Sequence, residues 1–417
     1  MTHQKHAHWR KLTHEEITSI VFEALDKNID YRQRKALGVP ASHLDERVFY
    51  NNPMLLQNAP FLSTLLQNPN HIGCHTIGES EPFFAGTQRI EKELIQLCAE
   101  DILKGESDAQ DGYVAAGGTE ANIQAIWVFR NYFMSELNLQ ASEVGLLFSE
   151  DSHYSMFKAA NLLQIPHFVA KVNEGDRTID ERALAETIES MKKDGIKAVA
   201  VVANMMTTMF GSADNPDVYV NALKNADLPF KLHLDGAYGG FVFPFVSKDE
   251  RWSFANTDVS SITLDAHKMV QAPYGTGIYL AKKGLIPYAT TGEAQYVAGL
   301  DATLSGSRSG ANAISVWMIL QTYGPNGWFE KIHLLSYRAD WLERQLNEIG
   351  IEFYRYPGSN IVTMRSHSVP KELVEKYGLV PDSHEGNANW YKVVIMDHVS
   401  VDDMVPFVEE LQAHVNG

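Results

Sequence analysis

The chain has 417 residues, 45% of them hydrophobic and 21% charged, which excludes a disordered protein and leaves room for a large core and two domains. Its formal net charge of −17 argues against nucleic acid as a main partner, since a phosphate backbone calls for a basic face. The two cysteines, Cys74 and Cys98, form no C-x-x-C pair, so neither a disulfide framework nor a zinc knuckle is implied and a reducing, cytoplasmic setting is expected.

The opening octet, Met1-Thr-His-Gln-Lys-His-Ala-His8, is polar and lacks the apolar centre of a signal peptide. No run reaches transmembrane length, so no membrane partner is expected. Histidines 3, 6 and 8 are read as a solvated terminus, and no metal is expected. A helix is predicted over Thr13 to Leu25, followed by turn-rich sequence at Asn51-Asn52-Pro53 and Asn68-Pro69-Asn70. Residues 1–75 have too few periodic apolar positions for a core of their own and read as an N-terminal arm laid over another part. From Gln88 to Leu103, Ile90, Leu94, Leu97, Cys98 and Ile102 share one face of an amphipathic helix.

Next comes Gly112-Tyr-Val-Ala-Ala-Gly-Gly-Thr-Glu-Ala-Asn122, leading into a helical run through Met134. Glycines 117 and 118 let backbone amides come close to a ligand, Thr119 adds a hydroxyl, and a helix start offers unpaired N–H groups. That combination is an anion cradle or, alternatively, an ordinary capped helix start. It matches neither G-x-G-x-x-G nor G-x-x-x-x-G-K, which disfavours nicotinamide and nucleoside triphosphate chemistry. Strands at 144–148, 167–172, 196–203, 231–235, 260–264 and 277–281 then alternate with helices at 155–163, 179–192 and 216–225. This alternation predicts an α/β domain over residues 76–325 with a mostly parallel central sheet and ligands at the carboxyl ends of its strands.

Asp301-Ala-Thr-Leu-Ser-Gly-Ser-Arg-Ser-Gly310 opens a helix through Gln321 and reads as a second candidate anion site containing Arg308. A long helix from Trp328 to Ile349 follows. Strands at 351–354, 361–364 and 391–396, with helices at 371–377 and 401–415, make residues 326–417 a smaller α+β C-terminal domain.

The centre of the chain is Lys231-Leu-His-Leu-Asp-Gly-Ala-Tyr-Gly-Gly240 together with Ser261-Ile-Thr-Leu-Asp-Ala-His-Lys268. Each is a short apolar strand ending in polar residues, so one delivers Asp235 and the next Lys268 to the same sheet edge. An amine and a carboxylate placed so suit pyridoxal 5'-phosphate: lysine forms a Schiff base with the aldehyde, and aspartate keeps the pyridine nitrogen protonated. A buried Asp–Lys ion pair is the other reading.

The ordered set Gly117-Gly-Thr-Glu-Ala-Asn122, Ser152-His-Tyr-Ser155, Asn204 with Thr207-Thr208 and Gly211, His233-Leu-Asp-Gly-Ala237, His267-Lys268 and Gly306-Ser-Arg308 resembles the group II pyridoxal-phosphate-dependent amino acid decarboxylases. Those enzymes have the aspartate aminotransferase fold (fold type I). Ser152-His-Tyr-Ser-Met-Phe-Lys-Ala-Ala160 and Tyr296-Val-Ala-Gly-Leu-Asp-Ala-Thr-Leu-Ser-Gly-Ser-Arg308 are most similar to the branch holding bacterial histidine and plant serine decarboxylases. The resemblance spans residues 85 to 317 in order; outside them only length and pattern match.

The resemblance implies Lys268 as the Schiff-base lysine, displaced when the substrate amine takes over that bond, and Asp235 as the partner of the ring nitrogen. It implies His153 stacked on one face of the ring and the Ala237 methyl packed on the other. Gly118, Thr119 and His267 are implied to hold the phosphate, with Ser307 reaching it from a second subunit, so that a homodimer completes the site. Thr207 is implied to bond near the ring's phenolic oxygen or the Asp235 carboxylate. Tyr296 is implied as the donor that returns a proton to the substrate's α-carbon across the dimer interface; a tyrosine buried at a strand edge is the other reading. His71 and His75 fall where the family draws part of its substrate pocket, or cap the arm.

Asp265-Ala266 departs from the family, many of whose members have Ser-Gly or a similar small pair before His-Lys, and a carboxylate near a phosphate is unfavourable unless it faces away or is paired, so Asp265 is left out of the phosphate set. The phrase His233 to Phe245 is also similar to archaeal tyrosine/aspartate decarboxylases. Serine, histidine, acidic and aromatic amino acids therefore all stay open as the small-molecule substrate. The Lys–Asp pair also serves aminotransferases and sphingosine-phosphate-type lyases.

Overall fold

The computed structural model describes residues 85–290 and 301–416, together with residues 15, 37, 45–49 and 70–71. Apart from Glu15, the predicted helix at 13–25 lies outside the described residues, as do the phrases around His75 and Tyr296.

Helix α1 (Ala85–Gln96) packs beside strand β1 (Gln110–Ala115), which the sequence reading did not anticipate. Helix α2 (Gly118–Glu136) follows two residues later. The chain then alternates through β2 (Val144–Ser149), α3 (Ser155–Leu163), β3 (His167–Ala170), α4 (Glu181–Lys193), β4 (Ala198–Asn204), α5 (Pro216–Asn225) and β5 (Phe230–Gly236). β6 (Val259–Asp265) and β7 (Gly277–Lys282) complete a seven-stranded sheet in the order β1-β7-β6-β5-β4-β2-β3. Pairing is parallel from β3 across to β6, and β7 runs antiparallel to both of its neighbours, so the mostly parallel α/β sheet is present.

Strand β4 shows why the expected strand at 196–203 is apolar nearly throughout. Val199, Val201 and Ala203 join one hydrophobic cluster, whereas Ala198, Ala200 and Val202 join the cluster on the opposite face. A strand covered by helices on both faces must be apolar at every position, because successive side chains point to opposite sides. Where β1 is concerned, its glycine and aspartate hid the same role.

The span Gly310–Glu348 (α6) holds two helical stretches on either side of Gly324, in line with the two helices expected at 310–321 and 328–349. It kinks at Gly324, whose φ of 62° favours glycine, immediately before Pro325, which has no N–H to give the ladder. Strands β8 (Phe353–Tyr354), β9 (Ile361–Arg365), β10 (Val380–Pro381) and β11 (Trp390–Val394) form an antiparallel sheet in the order β8-β9-β11-β10, with helices α7 (Lys371–Tyr377) and α8 (Val401–Asn416). One hydrophobic cluster runs from Val199 and Val201 under the large sheet through Trp328 to Val393 and Leu411. Shared burial of this kind holds the second sheet firmly against the first.

The expected anion site at Arg308 is corrected. Its guanidinium is buried in an ion pair with Glu91 and donates to the Val114 carbonyl (3.2 Å), and Glu91 also accepts the Val114 N–H (2.7 Å). Arginine and glutamate neutralise each other in the interior and tie α1 to β1 and to the start of α6.

Candidate active site

Parallel pairing lines up the carboxyl ends of neighbouring strands, with Asn204 opposite Asp235 and Asp235 opposite Thr263. β6 ends at Asp265, three residues before Lys268. The polar phrases of four strands thus meet at one edge, beside the N-terminus of α2.

A cavity of about 580 Å³ opens there, and its walls include Gly118, Thr119, His153, Ala237, His267 and Lys268. Asp235, buried at 6% exposure, lines a small adjoining recess that also takes in His153, Thr207, Ala237 and Lys268. The aspartate and lysine of the central motif therefore do share one site. Asp235 accepts the Ala237 N–H at Oδ1 (3.1 Å) and the Asn122 amide at Oδ2 (2.9 Å), which fix the direction of its carboxylate.

Asn122 links several of these groups. Its Nδ2 reaches Ser155 Oγ (3.1 Å), which pairs with His153 Nδ1 (2.9 Å), and its Oδ1 stands 3.0 Å from His233 Nε2. The carbonyl oxygen can only accept, so His233 carries its proton on Nε2 and receives the Ser261 hydroxyl at Nδ1 (2.8 Å). Burial pushes the His233 imidazole down to about 4 against the opposing pull of Asp235, so it is neutral near pH 7. Burial also lowers the His153 imidazole; Asp235 opposes that shift and the Lys268 charge adds to it. A neutral imidazole at the cavity wall is suited to lie against an aromatic ring.

The loop before α3 is held from the side. Asn204 Nδ2 reaches Ser152 Oγ (2.9 Å) and Asp214 Oδ2 (2.7 Å), and burial lifts the Asp214 carboxyl to about 7. Thr207 Oγ1 pairs with Ser212 Oγ (2.9 Å), and the donors to the Asp235 carboxylate are Asn122 and Ala237. Lys392, reaching in from β11, donates to the Thr208 carbonyl (2.9 Å); burial, then the charge of Lys268, pushes its amine down to about 8.

Not every expected residue comes together. Ser307 is exposed and is not on the cavity wall of its own chain, which Leu304 and Ser305 reach instead. The backbone of His71 pairs with Arg308. Tyr296 and His75 lie outside the described residues. Sequence reasoning missed Asn122, Ser155, His233 and Lys392 as parts of the site. Asn122 carried a readable signal, an amide on the buried face of α2 one turn after Thr119, whereas nothing local distinguishes Lys392. Among the described residues no group of three or more His, Cys, Asp or Glu side chains could hold a metal ion, and no helix is long and apolar enough to cross a membrane.

The site fits pyridoxal phosphate on its own geometry. A Cβ at Gly118 would meet Asp265 Oδ2 at 2.9 Å and the Ala237 methyl at 3.0 Å, so that backbone stands against the cavity wall without a side chain of its own. An amine, a fixed carboxylate, a neutral imidazole and a helix N-terminus surround one space, the donor set for an aldehyde, a pyridine nitrogen, a flat ring and a phosphate.

Comparison with known proteins agrees. The pyridoxal-dependent decarboxylase conserved domain matches residues 88–354. A tryptophan decarboxylase of Clostridium sporogenes is 47% identical over 404 residues, 97% of each chain. A histidine decarboxylase of Vibrio campbellii is 32% identical over 263 residues, 62% of this chain and 64% of that one. In fold, the chain is similar to L-methionine decarboxylase from Streptomyces sp. 590, with a TM-score of 0.77 and 21% identity over 96% of this chain and 95% of that one. The architecture is therefore fold type I, and decarboxylation displaces the aminotransferase and sphingosine-phosphate-type lyase readings. The chain belongs to the pyridoxal-dependent decarboxylase family and is a pyridoxal-phosphate-dependent amino acid decarboxylase.

Proposed function

We propose that this enzyme decarboxylates L-tryptophan to tryptamine and carbon dioxide, in the cytoplasm and as a homodimer. The observation that carries the choice of substrate is the 47% identity to a tryptophan decarboxylase over 97% of both chains. Ile123, Tyr154 and Leu304 on the cavity wall are in keeping with an aromatic side chain. Residues 76–325 would form the cofactor domain, 1–75 the arm and 326–417 the small domain.

Bound pyridoxal phosphate supplies an electron sink for the pair left at the α-carbon when carbon dioxide departs. Lys268 would bind its aldehyde and yield that bond to the substrate amine. Asp235, oriented by Asn122 and the Ala237 N–H, would hold the proton on the ring nitrogen. His153, kept neutral by burial, would cover one ring face and the Ala237 methyl the other. Gly118 N–H, Thr119 and His267 would hold the phosphate, with Ser307 of the second subunit; exposure of Ser307 in its own chain supports that reach. Thr207, which lines the recess with Asp235 and Lys268, would bond the phenolic oxygen. His71 and His75 would touch the substrate from the arm. Tyr296 would give its phenolic proton to the α-carbon from the neighbouring subunit.

A panel of amino acids assayed for carbon dioxide and amine tests the substrate. The highest kcat/KM is expected for tryptophan; a higher value for histidine, serine or aspartate would overturn the choice. Replacement of Tyr296 by Phe should slow amine formation by roughly a hundredfold or more, the usual worth of a positioned proton donor, and raise transamination or oxidative side products. Unchanged turnover and product would remove Tyr296 from the mechanism.

The neutral His233 that holds Asn122 also makes a pH prediction. Its folded-state value lies below the unfolded 6.5, so as pH falls the unfolded chain takes up the proton first. The stability it contributes is complete above pH 6.5 and is lost progressively toward pH 4, by roughly 3 kcal/mol at most. Urea unfolding of wild type and His233→Gln across that window should show the difference between them shrinking as pH falls. A difference that stays constant would mean that His233 does not titrate in this way.

A further inference from the structure

Asp265, set aside in the sequence reading because a carboxylate beside a phosphate is unfavourable, stands on the wall of the cofactor cavity. It is buried at 3% exposure. Its Oδ2 accepts the Gly118 N–H (3.1 Å) at the first residue of the 19-residue helix α2 and lies 3.9 Å from Lys268 Nζ. Its Oδ1 lies 2.8 Å from His267 Nδ1, but off the line of a hydrogen bond, so this buried oxygen is left without a hydrogen-bond partner. The three groups assigned above to the cofactor's phosphate and aldehyde, the Gly118 amide, His267 and Lys268, thus converge on one side chain.

A helix N-terminus and an adjacent cationic amine attract whatever anion is nearest. In this structure that anion is Asp265. We propose that Asp265 is a positioning residue that acts as an internal stand-in for the phosphate: it keeps the cradle assembled before the cofactor arrives and excludes free inorganic phosphate from it. The discrimination follows from tethering. Lys268 would anchor pyridoxal phosphate through its aldehyde, so that the phosphate would meet the cradle at a high effective concentration and would take the Gly118 N–H from the carboxylate. Inorganic phosphate has no such anchor and must enter against the like charge of Asp265 on its own.

The inference rests on the assignment of Gly118, Thr119 and His267 to the phosphate, and its test separates the two. Cofactor-free wild type, Asp265→Asn and Asp265→Ala are titrated with inorganic phosphate by calorimetry, and reloading with pyridoxal phosphate is followed by absorbance with and without inorganic phosphate. Asparagine keeps the shape and an oxygen for the Gly118 N–H while removing the charge. The variants should bind inorganic phosphate roughly tenfold tighter than wild type, the scale of one partly screened like charge, and inorganic phosphate should slow reloading of the variants far more than of wild type. Equal phosphate affinity in all three proteins overturns the proposal. So does loss of both phosphate and cofactor binding in correctly folded Asp265→Asn, which would reduce Asp265 to a brace for His267. Should the variants fail to fold, wild type alone decides: a melting temperature raised by inorganic phosphate as much as by pyridoxal phosphate contradicts exclusion. Thr119→Val serves as the control for the assignment. If it leaves the preference for pyridoxal phosphate over pyridoxal unchanged, the cradle is misplaced and the Asp265 proposal falls with it.

Discussion

A buried carboxylate has to be held by donors, and the hold on Asp235 is the constraint around which the rest of this site is arranged. Its two donors come from different levels of structure, a backbone N–H two residues on and the Asn122 amide from α2. Asn122 in turn needs an acceptor and a donor of its own, which Ser155 and the neutral His233 provide. Because Asn122 is shared, the orientation of Asp235 and of His153 is set by one side chain. A change that tilts α2 against the sheet would disturb both at once.

That arrangement depends on the sheet. Parallel pairing, with a register shift between β5 and β6 at Leu232/His233, places Asn204, Asp235 and Thr263 side by side, and only strands apolar on both faces can lie under helices on each side. The second sheet adds to this by packing into the same hydrophobic cluster and by sending Lys392 to the Thr208 carbonyl. Burial, then the charge of Lys268, lowers the Lys392 amine, which braces the Thr207–Thr208 turn through the Thr208 carbonyl.

Much of this was legible in the chain itself. The apolar run at 196–203 and the phrases ending in Asp235 and Lys268 announced strands that deliver polar side chains at their ends, and the Gly117-Gly-Thr phrase announced the start of α2. What could not be read was what depends on distant partners. Arg308 followed a glycine–serine phrase like an anion ligand, yet Glu91, more than two hundred residues away, claims it. β1 was hidden because Asp111 and Gly112 break the apolar pattern. Gly112 is packed so closely on the neighbouring strand that a Cβ there would meet the Tyr279 carbonyl oxygen at 2.1 Å. Asp265 was set aside for want of a visible partner, and the Gly118 amide that pairs with it lies 147 residues away in the chain.

If Asp235 and Lys268 grip opposite ends of one bound ring, the ring nitrogen reports on it most directly. With pyridoxal phosphate labelled with ¹⁵N at the pyridine position, the nitrogen resonance should be that of a protonated ring in wild type and move to that of a neutral ring in Asp235→Ala. A resonance that is the same in both proteins would show that this carboxylate does not face the nitrogen and would contradict the site as described.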